Sequence, residues 1–398
     1  MSVIAEPPRE SFRVDMLWND ARYRSTFIQI VALILVLTAV GWIVNNVVGN
    51  LARLGKDFNF AFLRAPASYD INQTLIAYTS QSTHARAALV GILNTLLIAV
   101  LGCAAATAIG VIAGVLRLSK NWIVARLMTV FVEGFRNVPL LIWILMVMAA
   151  VNESLPAPRA ATPTLGGALV ATNRGVYIPA PVWGDGSWFV VAAFLLSLVA
   201  IWFWRRHARL KQEATGEQSP VLAVGLALFF IPSLIVYFIT GMPITLEYPE
   251  LQGFNFRGGI FMRDSLVALW LALSFYTGAF IAENVRGGIL SVSHGQTEAA
   301  FALGLRPNRT MQLIILPQAL RVIIPPLISQ YLNLTKNSSL AIAVGYMDVT
   351  ATLGRITLNQ TGRAMESILL LMVFYLCVSL TISSVMNWYN SRVKLVER

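Results

Sequence analysis

Charge is scarce in this sequence. Only 12% of its 398 residues are Asp, Glu, Lys or Arg, against 57% hydrophobic, which is about half the charged fraction of an ordinary soluble domain. With a mean hydropathy of +0.67, the chain is too apolar for a water-soluble globule of its size. Histidine is nearly missing as well. His84, His207 and His294 lie far apart, so no stretch offers the clustered ligands of a metal centre. The two cysteines, Cys103 and Cys377, sit inside apolar runs, where a thiol behaves as a small hydrophobe and implies no disulfide framework. No Gly-x-x-x-x-Gly-Lys-Ser/Thr loop occurs, so the chain is not expected to hydrolyse ATP itself. No nucleophile and base pair stands out, as an intramembrane enzyme would need. Nor does a small-residue cleavage site follow the first apolar run, which therefore reads as a retained span and not a signal peptide.

What the sequence does contain is apolar runs separated by short basic clusters. A helix needs about 20 apolar residues to cross a bilayer. Runs over 27–48, 87–116, 127–151, 188–204, 220–240, 264–288, 322–345 and 364–386 predict an all-α integral membrane protein with about eight transmembrane helices. The net charge of +11 is spread beside these runs, so it points to topology and not to nucleic acid. Eight spans put both termini on one side, and that side carries twice as many Lys and Arg as the other. By the positive-inside rule it is cytoplasmic. Trp42, Trp122, Trp183, Trp188, Trp202 and Trp388 fall near span ends, as interfacial anchors do.

The divisions follow from the same pattern: a cytoplasmic arm over 1–26, a first span with an external segment over 27–86, and a paired-span region over 87–151. Residues 152–262, rich in Pro, Gly and Thr around two spans split by the basic turn Arg205 to Lys211, read as an inserted hairpin with external loops. The spans of 264–386 follow, then a tail over 387–398.

One polar interruption has internal order. Ser293 is placed to cap a short helix, with Gln296 reaching back as in a capping box, and Gly304 to supply the left-handed turn that ends it. Asn308 is placed to cap a second helix. The stretch Glu298-Ala299-Ala300-Phe301-Ala302-Leu303-Gly304, then Arg306, then Ile314-Ile315-Leu316-Pro317-Gln318-Ala319-Leu320-Arg321 thus predicts a two-helix elbow over 290–321. It is too polar for lipid, and the charge bias puts it in the cytoplasm.

Three further polar groups lie in apolar surroundings. Glu133 and Arg136 are three apart, as are Glu283 and Arg286, so each pair shares a helix face and can form an intramembrane ion pair. Such pairs are either structural or part of how motion is passed on. The run Asn333, Thr335, Lys336, Asn337, Ser338 and Ser339 interrupts the seventh span. A lysine at membrane depth costs at least about 2.5 kcal/mol on insertion scales, so these residues are candidates for a pathway or substrate contact. Lys336 snorkelling or bonded to a carbonyl is the other reading.

The elbow pattern, E-A-A, three residues, G, then I-x-L-P, resembles the EAA loop of ABC importer permeases. Tyr276 to Ile289 with Gly295-Gln296-Thr297-Glu298-Ala299-Ala300, and Glu133-Gly134-Phe135-Arg136-Asn137-Val138-Pro139-Leu140-Leu141, resemble the polar amino-acid branch, Asn137 and Val138 standing where Gly and Thr are usual. Gly91 to Leu96 and Gly110 to Ser119 resemble the first core helix of the same family. The extra first span and long insertion resemble the general L-amino-acid permeases. This resemblance implies a type I core of five helices in the bacterial inner membrane. It implies that Glu298, Ala299, Ala300, Gly304 and Arg306 couple to an ATP-binding cassette ATPase dimer, which holds ATP and Mg. A second permease subunit, similar or identical, and a periplasmic amino-acid-binding protein complete the expected importer, which works by alternating access. The rival reading is an ion-coupled secondary transporter or channel using Glu133, Glu283 and Lys336, and it leaves the elbow unexplained.

Overall fold

The computed structural model describes Trp18 and residues 21–53, 58–217 and 219–393. Most of the amino-terminal arm and the last five residues of the tail lie outside the described residues. Helix α1, Ala21–Arg53, belongs to a unit of its own, residues 1–63. At 1.5 Å per residue its 33 residues reach about 50 Å, longer than the expected span.

The second unit holds the remaining helices: α2 His84–Leu116, α3 Trp122–Asn137, α4 Leu140–Ser154, α5 Ser187–Thr215, α6 Val221–Ile239 and α7 Asp264–Leu290. Short α8, His294–Ala302, precedes α9, Leu316–Asn337, and α10, Ala364–Val393. By length and composition, seven described helices can cross a membrane, or eight if α3 and α4 count as one bent span.

Helix α7 is the axis of the core. Leu266, Leu269, Leu273, Ile281 and Val285 are buried among Ile98 and Ala106 of α2, Leu140 and Ile144 of α4, and Ala319 and Ile323 of α9. Small residues make that contact tight. A Cβ on Gly110 would stand 2.5 Å from Ile281 Cβ, and one on Gly114 would stand 2.7 Å from the Ala282 carbonyl, so α2 and α7 meet nearly backbone to backbone. In lipid, where apolar side chains gain nothing by leaving solvent, such close packing is what drives helices together.

The single span expected over 127–151 is two helices bent by 110° at Val138 and Pro139. Proline has no amide hydrogen and pushes the residue before it out of the helical region, and Val138 is accordingly extended (φ −110°, ψ 134°). Phe135 of α3 stacks on Trp143 of α4 across the bend, ring centroids 4.1 Å apart.

In the insertion, α5 and α6 form the expected hairpin, but α5 carries the basic cluster Arg205 to Lys211 within its helix and ends only at left-handed Gly216. The flanking loops, read from sequence as irregular, hold seven strands of three or four residues: β1 Val170–Thr172, β2 Gly175–Ile178, β3 Ala180–Trp183, β4 Ile244–Glu247, β5 Glu250–Gln252, β6 Asn255–Arg257 and β7 Ile260–Arg263. All pairings are antiparallel, in the orders β1-β2-β7, β3-β4 and β5-β6. Tyr177, Phe256 and Phe261 form their small core, Tyr177 stacking on Phe261 at 4.4 Å. Strand β7 runs directly into α7, so this β layer marks the end of the bundle opposite the elbow.

Candidate functional site

Helix α8 starts at Ser293 without the expected capping box. No Ser293 side-chain bond forms, and the Gln296 amide donates to the Ser293 carbonyl at 3.0 Å. Instead His294 Nδ1 and Glu298 Oε1 pair at 3.0 Å on the exposed face. The other end is as the sequence suggests: Gly304 is left-handed (φ 76°), its amide donates to the Phe301 carbonyl at 2.9 Å, and Leu305 N–H donates to the Ala300 carbonyl at 3.0 Å. Those two bonds satisfy carbonyls that the helix end leaves bare. The second turn, Pro307–Thr310, begins one residue before the expected cap Asn308, with Arg306 in the cap position. Proline fits the first helical position because its fixed φ is already helical and its missing amide costs nothing there. A π turn, Met311–Ile315, then joins α9.

Of the elbow residues named from sequence, Ala300 is buried, while Glu298, Ala299, Gly304 and Arg306 are exposed. Beside them stand two apolar side chains the sequence reading passed over: Leu303 is 81% exposed and Phe301 49%. Each is an exposed apolar side chain among polar groups, the composition of a protein contact. The signal available in sequence was a leucine directly before a helix-ending glycine in a segment too polar for lipid.

At the same end of the bundle, both expected ion pairs are present and they are one structure. Arg136 Nη1 lies 3.8 Å from Glu133 Oε1, and Arg286 Nη1 lies 3.1 Å from Glu283 Oε1. Arg117, not singled out from sequence, joins them. Its Nη1 donates to Glu283 Oε2 and its Nη2 lies 3.7 Å from Glu133 Oε1. Arg136 also reaches Glu283 Oε2 at 3.8 Å. No sequence rule finds Arg117, which is 166 residues from Glu283.

The polar run of α9 divides by face. Thr335 and Ser338 are buried, and their hydroxyls donate to the carbonyls of Tyr331 and Thr335, both at 2.8 Å. Asn333 and Lys336 are exposed, with Asn337 and Ser339 half-buried. Two residues after Lys336 the helix tightens to a 3₁₀ turn, Ser338–Val344, that stops at left-handed Gly345.

Past that turn, at the β-layer end, lies a cleft of about 330 Å³ lined by Asn72, Tyr346, Met347 and Arg355 among others. Beneath it Asp348 is fully buried, with Oδ1 accepting from the Ala351 amide at 2.9 Å and Oδ2 unpartnered. Burial pushes its carboxyl up from an ordinary 3.8 to about 6, against the opposing pull of its hydrogen bonds. Among the described residues, no group of three His, Cys, Asp or Glu is placed to hold a metal ion.

Residues 219–395 match the family described as the inner membrane component of binding-protein-dependent transport systems. Over its whole length the chain is 51% identical to the complete glutamate/glutamine/aspartate/asparagine transport system permease protein BztB of Rhodobacter capsulatus. It is 46% identical to the general L-amino acid transport system permease protein AapQ of Rhizobium johnstonii, over 98% of this chain and 96% of that one. It is 42% identical to the amino-acid ABC transporter permease protein YhdX of Escherichia coli, described there as putative, over 98% and 99%. With relatives of that identity and coverage, an elbow of this geometry and seven or more membrane-length helices, the chain belongs to the amino-acid permeases of ABC importers, a multi-pass inner-membrane family.

Proposed function

We propose that this permease imports L-amino acids of broad range, handed to it by a periplasmic binding protein, and that it does so by alternating access powered from outside its own chain. The elbow is the power input. ATP and Mg act on a partner ATPase dimer, whose groove takes exposed Leu303 and Phe301, with Glu298, Ala299, Gly304 and Arg306 beside them. Ala300 is buried and holds α8 against the turn that follows. The observation that carries this reading is the 81% exposure of Leu303 on an elbow whose hydrogen-bonded glycine turn fixes its direction.

The elbow, both termini and the basic clusters lie on the cytoplasmic side in this reading, supported by the charge bias. The β layer of the insertion, 152–262, is then periplasmic and serves as the receptor's landing surface, while 87–151 and 264–386 form the transport core. Exposed Asn333 and Lys336 face the pathway, completed by a second permease subunit, similar or identical. The breadth of substrate is supported by the names of the relatives, one a general L-amino acid permease and one a permease for acidic amino acids and their amides.

Purification of the tagged complex from its native membrane tests the central claim. An ATPase subunit is expected to co-purify with the wild-type chain and to be lost from Leu303→Asp, which still inserts. Uptake that persists without any ATPase would overturn it.

A further inference from the structure

We propose that Arg117 is a positioning residue that makes the elbow-side ends of α2, α3 and α7 move as one body, so that displacement of the elbow reaches the bend between α3 and α4. This rests on the reading of the elbow as the ATPase contact.

Three helices contribute one charged group each to the centre of the cluster: Arg117 from the end of α2, Glu133 from α3 and Glu283 from α7. The Arg117 side chain is only 7% exposed, and its Nε has no acceptor. Desolvating a guanidinium while leaving one N–H unpaired makes it a poor contributor to stability, yet it is the most buried of the three guanidiniums that lie against the two carboxylates, and it brings α2 to them. Its value lies in geometry: it fixes the distance between three helices at one point.

The surroundings turn that point into a link. Gly110 and Gly114 already lock α2 to α7 at backbone contact. Arg286 holds Glu283 from the last turns of α7, and α8 begins four residues after α7 ends. Arg136 spans both carboxylates and lies over the Phe280 ring at 5.4 Å. Two residues on, the chain breaks at Val138, and Phe135 carries the contact to Trp143 of α4 and Phe275 of α7. Contiguity alone does not prove coupling; a rigid body does make a measurable claim.

Spin labels at Lys120→Cys and Gly287→Cys, both exposed positions, in a Cys103→Ser, Cys377→Ser background of the assembled complex, read the claim directly. The distance is expected to be the same with and without ATP, and to broaden in Arg117→Gln. A nucleotide-dependent distance in the otherwise unchanged chain would overturn the proposal. In proteoliposomes, Arg117→Gln is expected to raise the ATP hydrolysed per amino acid imported by about fivefold or more, the low end of typical coupling between linked sites, with Arg117→Lys restoring part. Proportional loss of hydrolysis and uptake would mean a structural role only and would also overturn it. Should Arg117→Gln fail to assemble, Glu133→Gln, at a half-exposed carboxylate, is expected to shift the same ratio, and an unchanged ratio there counts against the link. A wild-type complex whose uptake ignores ATP would instead refute the elbow's assignment, and the distance measurement would still decide the rigid body.

Discussion

Tyr346 Oη donates to the backbone carbonyl of Asn94 at 2.9 Å, joining residues 252 apart in sequence. Asn94 Nδ2 in turn donates to the carbonyls of Gln73 and Met347, both at 2.9 Å, and Asn94 is fully buried. One amide therefore closes the β-layer end of α2 against two loops. Asn94→Leu strands two half-buried carbonyls and is expected to destabilise the detergent-solubilised protein by about 2–4 kcal/mol, whereas Tyr346→Phe removes one donor and costs about 1 kcal/mol. Thermal unfolding followed by tryptophan fluorescence ranks the two, and equal midpoints would refute the arrangement.

Asp348 makes the same region sensitive to pH. Its carboxyl is raised to about 6 in the folded chain, so the folded state binds the proton more tightly than the unfolded one. The sign follows: stability is highest below the ordinary value near 3.8 and falls as pH rises through about 6, by at most about 3 kcal/mol at about 1.4 kcal/mol per unit. Asp348→Asn keeps a side-chain oxygen for the Ala351 amide and is expected to flatten that slope. Melting curves between pH 4 and 7 on both proteins check it; an unchanged slope in the variant would assign the pH dependence elsewhere.

Spans were legible because a bilayer imposes one length and one composition, which α2, α7 and α10 satisfy over their whole runs. Gly304 was legible for a similar reason: only a residue without Cβ enters the left-handed region cheaply. The bend at Val138 was written in Pro139, but an apolar run long enough to span hid it. The β layer escaped because three-residue strands such as β1 are too short to show alternation. Arg117 escaped because its partners come from two other helices, and no local spacing encodes a contact across 166 residues. Ser293 and Asn308 show the converse error. Each is a good cap by type, yet the Ser293 side chain makes no cap bond, and the second helix starts one residue early, with Arg306 in the cap position and Pro307 removing one bare amide.

The hairpin of α5 and α6 is removable on geometric grounds. Trp183 of β3 is paired with Ile244 of β4, so the chain ends left by deleting 184–243 already face each other and an Asn-Gly turn closes them. The shortened protein is expected to insert normally and to keep the β1-β2-β7 sheet. If the insertion is the receptor's landing surface, uptake falls while receptor-independent ATP hydrolysis stays; unchanged uptake would discard that role.

The glycines between α2 and α7 separate packing from propensity. Gly110→Ala places a methyl against Ile281 and the Gly278 carbonyl, at 2.5 and 2.9 Å, so the helices must part. Gly287→Ala meets nothing within 4 Å on the same pair of helices and gains up to about 1 kcal/mol of helix propensity. The expected outcome is therefore opposite in sign: a loss of about 1–3 kcal/mol for Gly110→Ala, as for other overpacked cores, and no loss for Gly287→Ala. Thermal midpoints in one detergent decide this. Because Gly110 lies seven residues before Arg117 on the same helix, a parted α2 also carries the guanidinium away from Glu283. Gly110→Ala should then loosen the ratio of hydrolysis to uptake as well, while Gly287→Ala leaves it intact.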